Sequence, residues 1–186
     1  MPRSGARRRR AGPEPAVIRE STDADVAAIE AIYAHHVLNG LASFEETPPD
    51  IGEIARRRAA VVDDGFPHLV AVADGKVAGF AYTSGFRPRP AYRYTVEDSV
   101  YVAPEVTGRG MGRALLAALI ERCTRLGYRQ MVAVIGDSAN HPSIALHESL
   151  GFRRAASFRS VGFKFGRWVD VVVLQLALGD GDETLP

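Results

Sequence analysis

A single cysteine, Cys123, stands in 186 residues. One thiol excludes an internal disulfide and any multi-cysteine zinc site, and its place in a leucine-rich stretch reads as a small core filler. No His/Asp/Glu cluster has metal-ligand spacing, so no metal is implied. No stretch is apolar for long enough to span a membrane, and the N-terminal arm lacks the apolar segment of a signal peptide. The chain therefore reads as cytoplasmic, with no membrane partner. No internal repeat is visible.

Charge is almost balanced, +1 overall, but unevenly spread. The arm "MPRSGARRRRAGPEP" holds five arginines against Glu14, a net of +4, leaving −3 for the rest. We read residues 1–15 as a disordered arginine-rich leader. An RNA-binding or targeting arm is the alternative, so nucleic acid is not the expected partner. Residues 16–178, rich in apolar side chains, are long enough for one domain with a substantial core. Residues 179–186, "GDGDETLP", read as a polar, frayed tail.

Within the domain, "PAVIRE" predicts a short strand. Asp23 stands where a helix N-cap would, ahead of a stripe of Val26, Ile29, Tyr33 and Val37. Ile51 to Val62 predicts a second, arginine-rich helix, and Asp74-Gly75 between alternating apolar runs predicts a hairpin. "FRPRPAYRY" is a proline-broken loop. "TVEDSVYV" predicts a strand, "GRALLAALIERCTRLG" a helix stopped by Gly127, and "RQMVAVIG" a strand. "HPSIALHESLG" predicts a short helix, and one or two strands close the chain. This order suits an α/β domain with a single mixed sheet and helices on both faces.

One segment carries more chemistry than the others. Gly108, Gly110 and Gly112 alternate just before the leucine-rich helix, where glycine costs up to about 1 kcal/mol per residue relative to alanine. A glycine-rich turn entering a helix points several backbone N–H groups and the positive helix end at one place, which suits an anion, phosphate above all. Arg109 and Arg113, four apart, can both reach such a group along one helix side. The dinucleotide fingerprint fails because Arg113 stands where its third glycine belongs, and the Walker pattern fails for want of Lys-Ser/Thr.

Thr107 to Gly112 resembles the acetyl-CoA loop of the GNAT N-acetyltransferase superfamily, Gln/Arg-x-x-Gly-x-Gly/Ala, with Thr107 departing at the first position. "RPRPAYRYTVEDSVYVAPE", "MVAVIGDSANHPSIALHESLGF" and "VGFKFGRWVD" are similar to its phosphinothricin and methionine sulfoximine N-acetyltransferase branch. The resemblance runs from about Val17 to Leu178. It implies the acyl-CoA N-acyltransferase fold, with a central, mostly antiparallel mixed sheet. It also implies acetyl-CoA as co-substrate, a homodimer, and direct attack of a small amino acid's amine on the thioester.

Such a reaction must take a proton from the amine, polarise the carbonyl and help the thiolate leave. Strand alternation puts Glu97 and Asp98 on opposite faces, and the resemblance places the catalytic glutamate at Glu97. His147 stands in "Leu146-His147-Glu148" where many superfamily members carry tyrosine, and imidazole holds or releases a proton near neutral pH. The resemblance further implies donor contacts from Val100, Tyr101 and Val102, where a bulge splays the strand, and from Gly108, Arg109, Gly110, Met111, Gly112, Arg113 and Asn140. Arg87, Pro88, Arg89 and Tyr92, with Glu97, Asp98 and Ser99, form the expected amine side; a guanidinium can grip a carboxylate bidentately. Phe44 is a further candidate for that pocket, Arg167 and Trp168 for a dimer contact, and His35 and His36 read as structural. The alternatives are acetylation of a different small amine, or a non-catalytic acetyl-CoA-binding protein.

Overall fold

A computed structural model describes residues 16–186; the arginine-rich leader lies outside the described residues. Seven strands form one sheet in the order β1-β2-β3-β4-β5-β7-β6. They are β1 (Val17–Glu20), β2 (His68–Ala73), β3 (Lys76–Gly85), β4 (Thr95–Val102), β5 (Gln130–Gly136), β6 (Arg153–Lys164) and β7 (Arg167–Ala177). Every neighbouring pair is antiparallel except β4 and β5, which run parallel. The helices are α1 (Val26–Asn39), α2 (Ile51–Asp63), α3 (Met111–Arg125) and α4 (His141–Glu148).

The expected sequence of elements is present, with both closing strands formed. Asp74 and Gly75 adopt positive φ in the β2–β3 turn, as a two-residue hairpin requires. The start of α1 differs from expectation. A 3-10 turn at Asp23–Asp25, capped by Thr22, precedes it, and Asp25, not Asp23, stands at the N-cap of α1. Asp25 accepts from the Thr22 amide at 2.7 Å and takes a bidentate grip from Arg19 at 2.7 and 2.8 Å. The tail lies against Arg129, which reaches Thr184 Oγ1 at 3.0 Å.

Apolar burial explains why the helices sit on both faces. Leu115, Leu116, Leu119 and Cys123 of α3 are fully buried against Ala81, Val96, Met131 and Leu174 of the sheet. On the other face Val26, Ile29, Tyr33 and Val37 of α1 meet Val70, Phe80 and Tyr101. Each such leucine or isoleucine contributes about 1.5–3 kcal/mol, so the two layers bind to opposite sides of the same strands. Cys123 is the expected filler, its thiol pushed up to about 11 by burial.

The feature that positions the site is a parting of the sheet. β4 stays paired with β3 all the way to Val102, without a register break. Its pairing with β5 ends at Asp98 and Ala133. Beyond that point β5 bonds only to β7. No bulge between β3 and β4 produces the splay; β4 simply leaves β5, and a cleft opens between Ser99–Val102 and Val134–Gly136.

Candidate active site

The cleft leads into a cavity of about 830 Å³. Val100 and Val102 line one side, Gly136 and Asn140 another, and Gly108, Gly110, Met111, Gly112 and Arg113 the mouth. Gly108 and Gly110 hold φ of +77° and +82°, a conformation that costs other residues about 1–2 kcal/mol. A Cβ added at either would meet nothing within 4 Å. In α3 the first amide to find a helical carbonyl is that of Ala114, on Gly110 at 3.0 Å. The amides of Met111, Gly112 and Arg113 ahead of it are left without helical partners. Bare amides at the positive end of a fifteen-residue helix, kept clear by glycines, fit a diphosphate.

The two arginines do not converge as expected. Arg113 borders the cavity, but its guanidinium donates to Ser149 Oγ at 2.6 Å and Ser149 O at 3.1 Å. Arg109 is exposed and is not among the lining residues. Asn140 caps α4, accepting from the Ser143 amide at 3.3 Å, and borders both this cavity and a smaller one beneath the cleft. Tyr101 packs its ring on Tyr33 and Phe80, leaving only its backbone for a ligand in the cleft.

Alternation along β4 separates the two carboxylates. Val96 and Val100 face α3, Tyr101 faces α1, so Glu97 and Ser99 share the α1 side while Asp98 points towards α4. Glu97 is half-buried and forms no side-chain hydrogen bond among the described residues. Burial raises its pKa, the Arg87 charge pulls it back, and Asp98 adds to the rise. Arg87 itself stacks on Phe86 at 4.9 Å, and Tyr92 meets Phe86 edge-on. Arg93 lies over Tyr94, which leaves Glu97 free of it. Pro88 and Arg89 are exposed on the same loop.

Asp98 and His147 are brought together under the cleft. His147 Nε2 lies 3.0 Å from Asp98 Oδ2, and its Nδ1 donates to the Ser143 carbonyl at 2.7 Å. Both side chains are at least 95% buried. Burial alone would lower the imidazole pKa, but the bond to Asp98 and its charge outweigh it, and the net direction is upward. Asp98 Oδ1 is buried without a partner among the described residues. Both residues, with Ser99, Asn140 and Ser143, border the smaller cavity of about 60 Å³. His147 is therefore one half of a pair, and a proton leaving Nε2 meets Asp98 first.

Some bordering residues were read from the sequence in other roles, His36 as structural and Arg167 as a dimer contact, and others were not singled out at all. His36 borders the large cavity and donates from Nε2 to the Val102 carbonyl at 2.9 Å, tying α1 to the end of β4. Leu41 and Ala42, in the loop after α1, form part of the wall. Arg167 sits at the rim, bonded to Asp137 at 2.5 Å. Nothing in the local pattern marks Leu41 and Ala42, or puts His36 and Arg167 at the cavity. Among the described residues no group of three or more His, Cys, Asp or Glu is placed to hold a metal ion, and no helix is long and apolar enough to cross a membrane.

A parted sheet with a glycine-built amide cradle at its mouth defines the class of acetyl-CoA-dependent N-acetyltransferases. The chain belongs to the acetyltransferase (GNAT) family, which matches residues 21–152. It is 54% identical over 169 residues to the phosphinothricin N-acetyltransferase of Alcaligenes faecalis, covering 91% of this chain and 86% of that one. It is 43% identical over 163 residues to the L-methionine sulfoximine/L-methionine sulfone acetyltransferase of Salmonella typhimurium, covering 88% and 95%. Among solved structures, a phosphinothricin acetyltransferase from Sinorhizobium meliloti in complex with AcCoA superposes with a TM-score of 0.89 at 48% identity, covering 92% of each chain.

Proposed function

We propose that this chain moves the acetyl group of acetyl-CoA to the α-amine of a small amino acid of the phosphinothricin or methionine sulfoximine type, by direct attack, with Glu97 as general base. The observation that carries the reading is Glu97 itself. A half-buried carboxylate without a described partner stands on the strand that parts from its neighbour, and burial makes it a stronger base than an exposed one. The names of the relatives in Alcaligenes faecalis and Salmonella typhimurium support the substrate class.

Acetyl-CoA, when bound, supplies an activated acyl group. The amides of Gly110, Met111, Gly112 and Arg113 hold its diphosphate, and the backbone of Val100 to Val102 aligns its arm along the cleft. Glu97 takes the proton of the incoming amine, directly or through water. Arg87, close enough to act on the charge of Glu97, meets the acidic end of the amino acid, with Arg89 and Tyr92 completing that side. The Asp98–His147 pair, not His147 alone, keeps a proton beneath the cleft for the departing sulfur. A second copy of the chain covers the β6–β7 hairpin, where Phe158, Val161, Phe163, Phe165 and Trp168 are 52–65% exposed.

Mass spectrometry of amino acids and their phosphinate and sulfoximine analogues, incubated with the protein and acetyl-CoA, tests the proposal. One acetyl group is gained by an analogue, and Glu97→Gln lowers kcat/KM about 10²–10⁴-fold while acetyl-CoA still binds. Acetylation of an unrelated amine alone, or full activity of Glu97→Gln, overturns the reading.

A further inference from the structure

The lining of the donor cavity also includes Gly40, Leu41 and Ala42, and these residues belong to no helix or strand. What keeps this irregular segment in place comes from distant parts of the chain. Lys164, at the end of β6, is 1% exposed. Its Nζ donates to the carbonyls of Val37 at 2.7 Å, Gly40 at 2.9 Å and Ser43 at 2.7 Å. An ammonium has three N–H donors, and here all three are used. Val37 and Gly40 lie at the C-terminal, negative end of α1, which offsets the burial of a cation. Burial pulls the ammonium's pKa below its ordinary value, while the charges of Glu46 and Glu45 act the other way.

Two glycines let the same segment settle against the sheet. A Cβ at Gly136 would lie 2.2 Å from the Leu41 carbonyl oxygen, and one at Gly162 would meet the Phe44 ring. Tyr33 adds a bond to Ser43 Oγ at 3.0 Å, and Arg57 one to Glu45 at 2.6 Å. The contacts from β5, β6, α1 and α2 thus converge on five residues that have no regular structure of their own.

We infer that Lys164 is a positioning residue for acetyl transfer: its buried ammonium fixes the segment Gly40–Phe44, and with it the stretch Gly40–Ala42 that lines the donor cavity. The inference rests on the acetyl-transfer reading for its kinetic consequence, but the pinning itself is a property of the free protein. A wall already in place spares the ordering cost that binding would otherwise carry. Lys164→Met keeps the length of the side chain and removes all three donors; Lys164→Gln restores two of them without the charge.

The test uses the full chain. In Lys164→Met, amide hydrogen exchange across residues 40–46 speeds up while α3 and β5 stay protected. The acetyl-CoA Kd by calorimetry weakens about tenfold, the scale of a lost preorganised contact, and kcat at saturation changes less than the Kd does. Lys164→Gln falls between the two. A folded Lys164→Met with wild-type exchange in the segment and wild-type Kd overturns the inference. If that variant does not fold, Lys164→Gln decides: faster exchange across residues 40–46 with a weakened acetyl-CoA Kd supports the inference, and wild-type exchange with a wild-type Kd overturns it. A wild-type chain that transfers no acetyl group defeats the functional reading alone, since exchange and Kd still judge the role of Lys164.

Discussion

Replacing Asp98 by asparagine removes the charge of the buried pair while keeping its shape. In the wild-type chain the Ser143 carbonyl, which only accepts, faces His147 Nδ1, and a carboxylate oxygen faces Nε2. The contact is satisfied only if an extra proton lies between Nε2 and Oδ2. Asparagine offers an amide N–H to Nε2 instead, so a neutral ring with its proton on Nδ1 satisfies both contacts. The unpartnered Oδ1 position remains an acceptor. Without the carboxylate, burial dominates, and the imidazole pKa drops from above its ordinary value to below it.

The sign of the stability effect follows. A group whose pKa is raised on folding contributes stability that is fully present below its unfolded value, about 6.5 for histidine. That contribution is lost as pH rises through the folded value. A hydrogen bond to a charged group contributes about 1.5–3 kcal/mol against about 1 for a neutral one. Asp98→Asn should therefore cost about 1–2 kcal/mol at pH 6 and progressively less towards pH 9. Urea unfolding between pH 5.5 and 9 measures the gap, and an NMR titration of the His147 ring measures its cause. A gap that does not change with pH, or a wild-type ring that titrates below the ordinary histidine value, would refute the reasoning. Lower kcat with unchanged acetyl-CoA binding would in addition tie the shared proton to the reaction.

Two other outcomes are open to measurement. Gly110→Val places a β-branched residue at φ +82° with its side chain in the amide cradle; acetyl-CoA binding by calorimetry should be lost while circular dichroism shows the fold retained, and undiminished binding would count against the cradle. Trp168→Asp puts a charge on the exposed hairpin, so light scattering should show the proposed dimer for the wild-type chain and a monomer for the variant. A wild-type chain that is already monomeric would remove the second copy from the proposal.

What was legible in the sequence was local. Alternation in "TVEDSVYV" sent Glu97 and Asp98 to opposite faces, the leucines of "GRALLAALIERC" formed a buried helix, and Asp74-Gly75 turned the hairpin, because backbone geometry sets each of these patterns within a few residues. Side-chain destinations were not legible in this way. Packing of helices on the sheet joins Asp98 to His147 across 49 residues, and Lys164 to Val37 across 127; no local period encodes either distance. The bond of Arg113 to Ser149, just past α4, cannot be read from its own stretch, and Gly136 and Gly162 look like ordinary strand glycines until the loop after α1 leans on them. The glycine cradle stood out because its strained backbone needs glycine whatever surrounds it. A site that works through bare backbone therefore leaves its mark in the sequence, whereas a wall held by a distant ammonium leaves only a lysine in a strand, and the fold alone supplies its reason.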